Sequence, residues 1–382
     1  MLRNWLTLLL LTACTVLQAQ EQVVARIVDA RTKQPLPFAS VYVNGSNSTI
    51  SNADGEFLVE AALTDTLRFT YVGYKTLRLC AADIHSTVPM KVDDRTLGEV
   101  MVMGTDMIVK KVYEQTKKEY KANKKEQKNF FFRQTTFCDN ECYAFLESFF
   151  SGRSAVQLRN LALVTGRYVS LANTLTSNPI NFYTFTQVPV FSIGGSVSPR
   201  EQLVPLYTRY YKAYEVKSQA VSDGEQTVYR LDFVPRDTTR WAVKGSLYVD
   251  ANSFQLLKFE GEGQMDVVEH KYRGIGWIMP IQYSFVVNYI HDNDFTEVGS
   301  VYFKTHFTCV DHDFDTTGTL YNVGERYVKG RDKMEFDDNL LWTIRKQGLN
   351  NEFWEENEVV KRTPLEEEAL GLFEHDNLIG VY

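Results

Sequence analysis

Alternation with a period of two is the feature that most limits what this chain can fold into. Ile281, Tyr283, Phe285, Val287 and Tyr289 occupy every second position of one run, Tyr229, Leu231 and Phe233 do so in another, and Val301, Phe303 and Phe307 share the parity of a third. Successive side chains of a strand point to opposite faces, so each run reads as a half-buried strand. Turn residues separate the runs: Asp223-Gly224 precedes one, Pro235 ends it, and Asp250-Ala251-Asn252-Ser253 links Leu247–Val249 to Phe254–Phe259. Sequential alternating strands with short turns predict an antiparallel meander with one buried face. Arg230, Asp232, Lys258 and Lys304 interrupt the other face. A transmembrane barrel needs an outward apolar band on every strand, so a soluble, curved sheet is expected. The 24 Phe and 21 Tyr among 382 residues agree with a mainly β chain.

A second set of strands runs from Gln22 to about Met103. Val23–Asp29, Ala39–Val43, Glu56–Val59, the alternating Leu67, Phe69 and Tyr71, Val88–Val92 and Val100–Val102 are separated by turn residues such as Asn44-Gly45 and Ala53-Asp54-Gly55. Short strands at this spacing, without helical period between them, predict a small sandwich. Five segments occur here in order: Val28-Asp29, Gln34–Val41, Asn52–Phe57, Phe69–Tyr74 and Leu97–Val100. Together they resemble the carboxypeptidase-regulatory-like family, which is abundant in Bacteroidetes envelope proteins. The resemblance implies a transthyretin-like β-sandwich and an accessory role; it implies no peptidase.

The remainder begins with an amphipathic helix. Asp106 is expected to cap it, and Val109, Val112, Tyr113, Thr116 and Tyr120 to line one stripe. Phe130–Arg133 starts a strand, followed by a hairpin at 138–142. Thr363-Pro364-Leu365-Glu366 is a capping box with Pro at the first helical position, and Leu365, Ala369, Leu372 and Phe373 form the face behind it. Phe353-Trp354 is expected to anchor this tail on the sheet. The residues Glu147, Gly166-Arg167, Val228–Phe233, Gly245–Asp250, Phe353-Trp354 and Thr363-Pro364 resemble the soluble portion of a Bacteroidetes envelope family of unknown function. The Tyr229–Phe259 stretch is also similar to strand pairs of lipoprotein-carrier half-barrels, which implies a concave sheet that holds acyl chains.

The N-terminus carries Arg3, the apolar run Trp5–Leu11, and Ala19-Gln20-Glu21. Charge, apolar core and small residue in that order read as a secretory signal over residues 1–20. Leu11-Thr12-Ala13-Cys14 offers a second route, in which Cys14 is lipidated and anchors the chain to the outer membrane. No later segment reaches about 18 consecutive apolar residues, so no transmembrane helix is expected. Export permits disulfides. Of Cys80, Cys138, Cys142 and Cys309, the expected pair is Cys138–Cys142, placed either side of Asp139-Asn140. Closing so small a loop contributes about 2 kcal/mol on the chain-entropy account. A redox-active pair is the alternative, although neither basic neighbours nor a Cys-X-X-Cys setting accompanies it. Cys80 and Cys309 are expected as buried thiols.

Charge and motifs exclude several functions. The net charge of −7 argues against nucleic acid, and Lys110–Lys128 is interleaved with Glu as a solvated helix face is. The chain has no His-Glu-X-X-His, no Gly-X-Ser-X-Gly and no phosphate loop. Asp311-His312-Asp313 with Asp315, and His291-Asp292 with Asp294, read as solvated turns, so no metal, cofactor or catalytic residue is assigned. Between Tyr168 and Pro199 no residue is charged; this stretch is expected either as a loop covering one end of the sheet or as a loop whose Phe182, Tyr183 and Phe185 touch a ligand or membrane. The domains expected are 22–103 and 105–382 behind the 1–20 leader. The leading functional reading is a non-catalytic envelope protein, periplasmic or outer-membrane-associated, that acts on an envelope partner through its β modules. Its alternatives are a carrier of a lipid or other apolar ligand, and an uncharacterised hydrolase.

Overall fold

The structure, a computed structural model, describes residues 21–44, 46–71, 73–92, 103–122, 127–154, 156, 158–170, 211–223, 226–237, 243–268, 278–292, 295–309, 312–323, 328–334, 340–356, 362–363, 366–367 and 370–371. The leader with Cys14, the expected strand Val100–Val102 and the aromatic residues Phe182, Tyr183 and Phe185 lie outside the described residues. The chain is mainly β, as expected, and divides into two compact units.

The first unit holds β1 (Glu21–Asp29), β2 (Ser40–Val43), β3 (Ser46–Ile50), β4 (Glu56–Ala61), β5 (Thr66–Thr70), β6 (Leu77–Cys80) and β7 (Thr87–Met90). They form two sheets, ordered β4-β1-β7 and β3-β2-β5-β6; β1 pairs antiparallel with β4 and parallel with β7. Ile27, Val41, Phe57, Leu67, Phe69 and Val88 are buried between them. Phe57 from one sheet meets Phe69 from the other edge to face, at 5.4 Å between ring centroids. The turn expected at Asp54-Gly55 is present, and Gly55 has a φ of +76°. A Cβ there would stand 2.6 Å from the Ile27 carbonyl oxygen, so only glycine fits. Cys80 departs from expectation: its thiol is half-buried, near the surface, and donates to the Leu63 carbonyl at 3.0 Å.

The second unit opens with α1 (Thr105–Ala122) and continues through β8 (Lys128–Cys138), β9 (Glu141–Ser154), β10 (Leu158–Ser170), β11 (Tyr214–Asp223), β12 (Gln226–Pro235), β13 (Lys244–Asp250), β14 (Leu256–Val268), β15 (Ile278–Asp292), β16 (Phe295–Cys309), β17 (His312–Asn322) and β18 (Asp332–Lys333). Two short helices follow, α2 (Leu340–Gln347) and α3 (Asn351–Glu356). Among the described residues the strands form one sheet of 11, ordered β11-β12-β13-β14-β15-β16-β17-β8-β9-β10-β18. The meander expected from the alternation is thus β11 to β17. Its last strand then pairs with β8, so that Phe314 faces Cys138 and Asn322 faces Phe130 across a long stretch of sequence.

The register assigns each side chain to a face. Phe130, Phe132, Leu146, Phe150, Phe285, Val301, Phe303 and Leu320 share one, which also receives Ile108, Val109 and Val112 of α1 and Leu340 and Ile344 of α2. We call it the helix-bearing face. The buried stripe of α1 runs through Ile108, Val109, Val112, Thr116 and Glu119, and Tyr113 is only partly buried. Asp106 lies inside the first turn rather than at the cap, where its charge complements the helix dipole. Over β8 to β10 the opposite face is covered too: Phe353 and Trp354 of α3 pack on Phe149, with ring centroids at 4.9 and 5.5 Å. That is the anchoring expected of this aromatic pair. It explains why residues 129–136 are buried without interruption.

Candidate functional site

On the helix-bearing face an apolar field is crossed by a polar streak. In β8 the parity of Phe130 and Phe132 continues through Gln134 and Thr136. Ser148 stands opposite Phe132 on β9, while Thr316 of β17 stands opposite Thr136 and donates to or accepts from it at 3.0 Å. Thr305 of β16 is the next residue in that row, followed by Tyr283 of β15. The streak therefore steps from Ser148 through Gln134, Thr136 and Thr316 to Thr305 and Tyr283. Burial pushes the Tyr283 phenol well above its ordinary pKa, helped by Tyr214.

Three atoms of this streak are orphans. Gln134 Oε1, Ser148 Oγ and Thr305 Oγ1 are buried and have no hydrogen-bond partner among the described residues. Their residues are 7%, 0% and 2% exposed. An unmatched buried polar group costs about 1–3 kcal/mol, so three together cost roughly 3–9 kcal/mol, which is comparable with the whole stability of a domain. Next to Gln134, Gly318 leaves room for the Phe303 ring to lie flat on the sheet, because a Cβ at that position would enter the ring. The residues around the streak are apolar, among them Phe132, Phe285 and Phe303.

The buried charges on the opposite face neutralise one another. Arg133 Nε donates to Glu147 Oε1 at 2.9 Å and Arg133 Nη1 to Glu366 Oε2 at 3.3 Å, while Arg167 Nη2 donates to Glu147 Oε2 at 2.6 Å. The Arg167 guanidinium also lies 4.5 Å from the Trp354 ring centroid. Two cations and two anions are thereby matched, and α3 and Glu366 are held against the sheet. Glu366 was legible as the last member of the capping box; its partner Arg133 was not.

A second cluster sits at the end of the β8–β9 hairpin. Asp139 and Asn140 form its two-residue turn with φ of 51° and 70°, values that Asx residues tolerate in a type I′ connection. The turn brings Cys138, Asp139 and His312 together, with one donor atom from each within 4.8 Å of the others. His312 Nδ1 and Asp139 Oδ2 are 2.6 Å apart. His312, Asp313 and Asp315 belong to β17, and the turn expected there is replaced by strand because pairing with β8 and β16 extends through them. His291 likewise lies within β15, exposed near its end.

The expected Cys138–Cys142 disulfide is absent, and both thiols are free. Cys138 pairs with Glu141 and Cys142 with Phe137, which puts the two sulfurs on opposite faces of the hairpin. Cys138 packs against the helix-bearing core, whereas Cys142 packs with Phe145, Val169 and Leu370 on the other side. Burial pushes the Cys142 thiol up to about 11, away from the range of a reactive thiolate. Cys309 occupies the register position opposite His312.

Residues 26–102 match the CarboxypepD_reg-like domain family, which agrees with the resemblance carried by the five ordered segments. No curated protein matches the chain. Among solved structures, a putative outer membrane lipoprotein-sorting protein domain from Vibrio parahaemolyticus is similar at 13% identity and a TM-score of 0.28, over 61% of this chain and 99% of that one. A DUF1329 family protein from Desulfovibrio piger is similar at 9% identity and a TM-score of 0.25, over 57% and 94%. A LolA superfamily protein from Nitrosomonas europaea is similar at 9% identity and a TM-score of 0.21, over 58% and 94%. Likenesses at these TM-scores carry no argument about this chain. Among the described residues no helix is long and apolar enough to cross a membrane.

Proposed function

We propose that the chain is an exported, non-catalytic cell-envelope protein whose large unit carries a lipid-like amphiphile on the helix-bearing face of its sheet. The observation behind this reading is the set of three orphan polar atoms, Gln134 Oε1, Ser148 Oγ and Thr305 Oγ1, within an apolar field. An amphiphile supplies both complements: its polar group satisfies the streak, and its hydrocarbon takes the place of α1 or lies beneath it. On this reading α1 is the cover that yields to the guest; in the structure it is held by Ile108, Val109 and Val112 and by Glu119, whose Oε2 accepts the Thr296 N–H at 3.2 Å. The first unit keeps the contact role implied by its family, toward an envelope partner.

The test is displacement of a fluorescent fatty acid from the full-length mature chain. The reading expects one saturable site that unlabelled lysophospholipid empties. Binding that never saturates, or none at all, removes the carrier role and leaves the plain interaction module.

A further inference from the structure

We propose that Cys138, Asp139 and His312 form a binding site for one zinc-class divalent cation. The site lies at the hairpin end of the helix-bearing face, and Cys138 packs against that core, but none of its three donors is among the orphan polar atoms of the streak. A thiolate, an imidazole and a carboxylate are the donor set that suits a borderline ion such as zinc. The donors come from two chain segments far apart in sequence, joined by the β17–β8 register in which Cys138 pairs with Phe314, two residues along from His312. Three of their atoms already lie within 4.8 Å of one another. Tetrahedral coordination with bonds of about 2.0–2.3 Å sets donors roughly 3.3–3.8 Å apart, so each needs to move by about 1 Å or less.

The supporting contacts are also in place. Asp139 Oδ1 accepts the Asp313 N–H at 2.9 Å, and the Asp139 N–H donates to the Asp313 carbonyl at 2.9 Å. These hold the carboxylate as an outer partner holds a metal ligand. The cation takes the position of the proton between His312 Nδ1 and Asp139 Oδ2, that proton moving through solvent to Nε2 of the same ring, and the Cys138 thiol proton is released to solvent. Three protein donors leave a fourth position for water.

The experiment titrates Zn²⁺ into the tag-free full-length chain against a chromogenic chelator, and maps alkylation of each cysteine by peptide mass spectrometry. One equivalent is expected to bind and to protect Cys138 while Cys80 and Cys142 alkylate as before. His312→Ala and Asp139→Asn are expected to abolish that protection and to weaken binding by more than the roughly 10–100-fold that loss of an outer partner costs. Circular dichroism confirms that each variant is folded. Equal zinc affinity in both variants and the parent chain, or Cys138 alkylation at one rate with and without zinc, overturns the site.

Discussion

Arg133 and Glu147 stand directly opposite each other on neighbouring strands, 4% and 1% exposed, with Arg133 Nε 2.9 Å from Glu147 Oε1. Removing one partner strands a buried charge, whereas replacing both removes the two most buried charges and leaves only Arg167 and Glu366, which are 18% and 17% exposed, to find water. Glu147→Gln is therefore expected to destabilise the large unit by about 3–5 kcal/mol in urea unfolding, and the double replacement Arg133→Met/Glu147→Leu by much less. Equal losses from the single and the double change would contradict the pairing.

Trp354 covers Phe149 and Arg167 at once. Trp354→Ala is expected to cost about 3–5 kcal/mol and to make the chain beyond α3 more sensitive to limited proteolysis. Unchanged protection would mean that other contacts fasten that segment.

The first unit should lose stability in acid. Asp29 Oδ1 accepts the Thr32 and Arg31 N–H groups at 2.7 and 2.8 Å, and Oδ2 accepts the Tyr74 hydroxyl at 2.8 Å. The Thr32 backbone bond first, and then the Tyr74 hydroxyl, lower its pKa from 3.8 to about 2. A depressed carboxylate pKa gives stability that is whole above the unfolded value and disappears as pH falls through the folded one. Hydrogen exchange of the β1 amides should accordingly speed up between about pH 4 and pH 2. Asp29→Asn should exchange faster than the parent chain at pH 6 and converge with it near pH 2. A constant difference across that range would count against the linkage.

Gln134→Leu separates stability from binding. Removing an unmatched buried acceptor is expected to stabilise the ligand-free chain by about 1–2 kcal/mol, read as a higher urea midpoint. The same change should weaken fatty-acid binding, because the polar end of the guest loses a partner. A variant that is destabilised and binds unchanged would show that Gln134 serves the fold alone.

The meander was legible because in β12 and β15 the apolar residues keep one parity, and so was the hairpin turn at Asp139-Asn140. What could not be read was which strand β17 would join, since β17–β8 pairing is fixed by long-range packing rather than by a turn. The Cys138–His312 proximity, the opposite facing of Cys138 and Cys142, and the Arg133–Glu366 pair all depend on register or on tertiary contact. Strands β8 and β9 also blurred the period-two signal, because burial on both faces removes the polar alternation. One trace of the polar streak was present: Gln134 and Thr136 carry the parity of Phe130 and Phe132, where a core face should be apolar. The short helices α2 and α3 were missed because six to eight residues are too few to display a period.

Native mass spectrometry of the mature chain, purified without detergent from cells that export it, tests the carrier account most directly. The account predicts a mass above that of the polypeptide, lost on denaturation and recovered in the organic phase as one amphiphile per chain, with Gln134→Leu carrying less of it. A bare polypeptide mass under the same gentle conditions, for the parent chain and the variant alike, would contradict it.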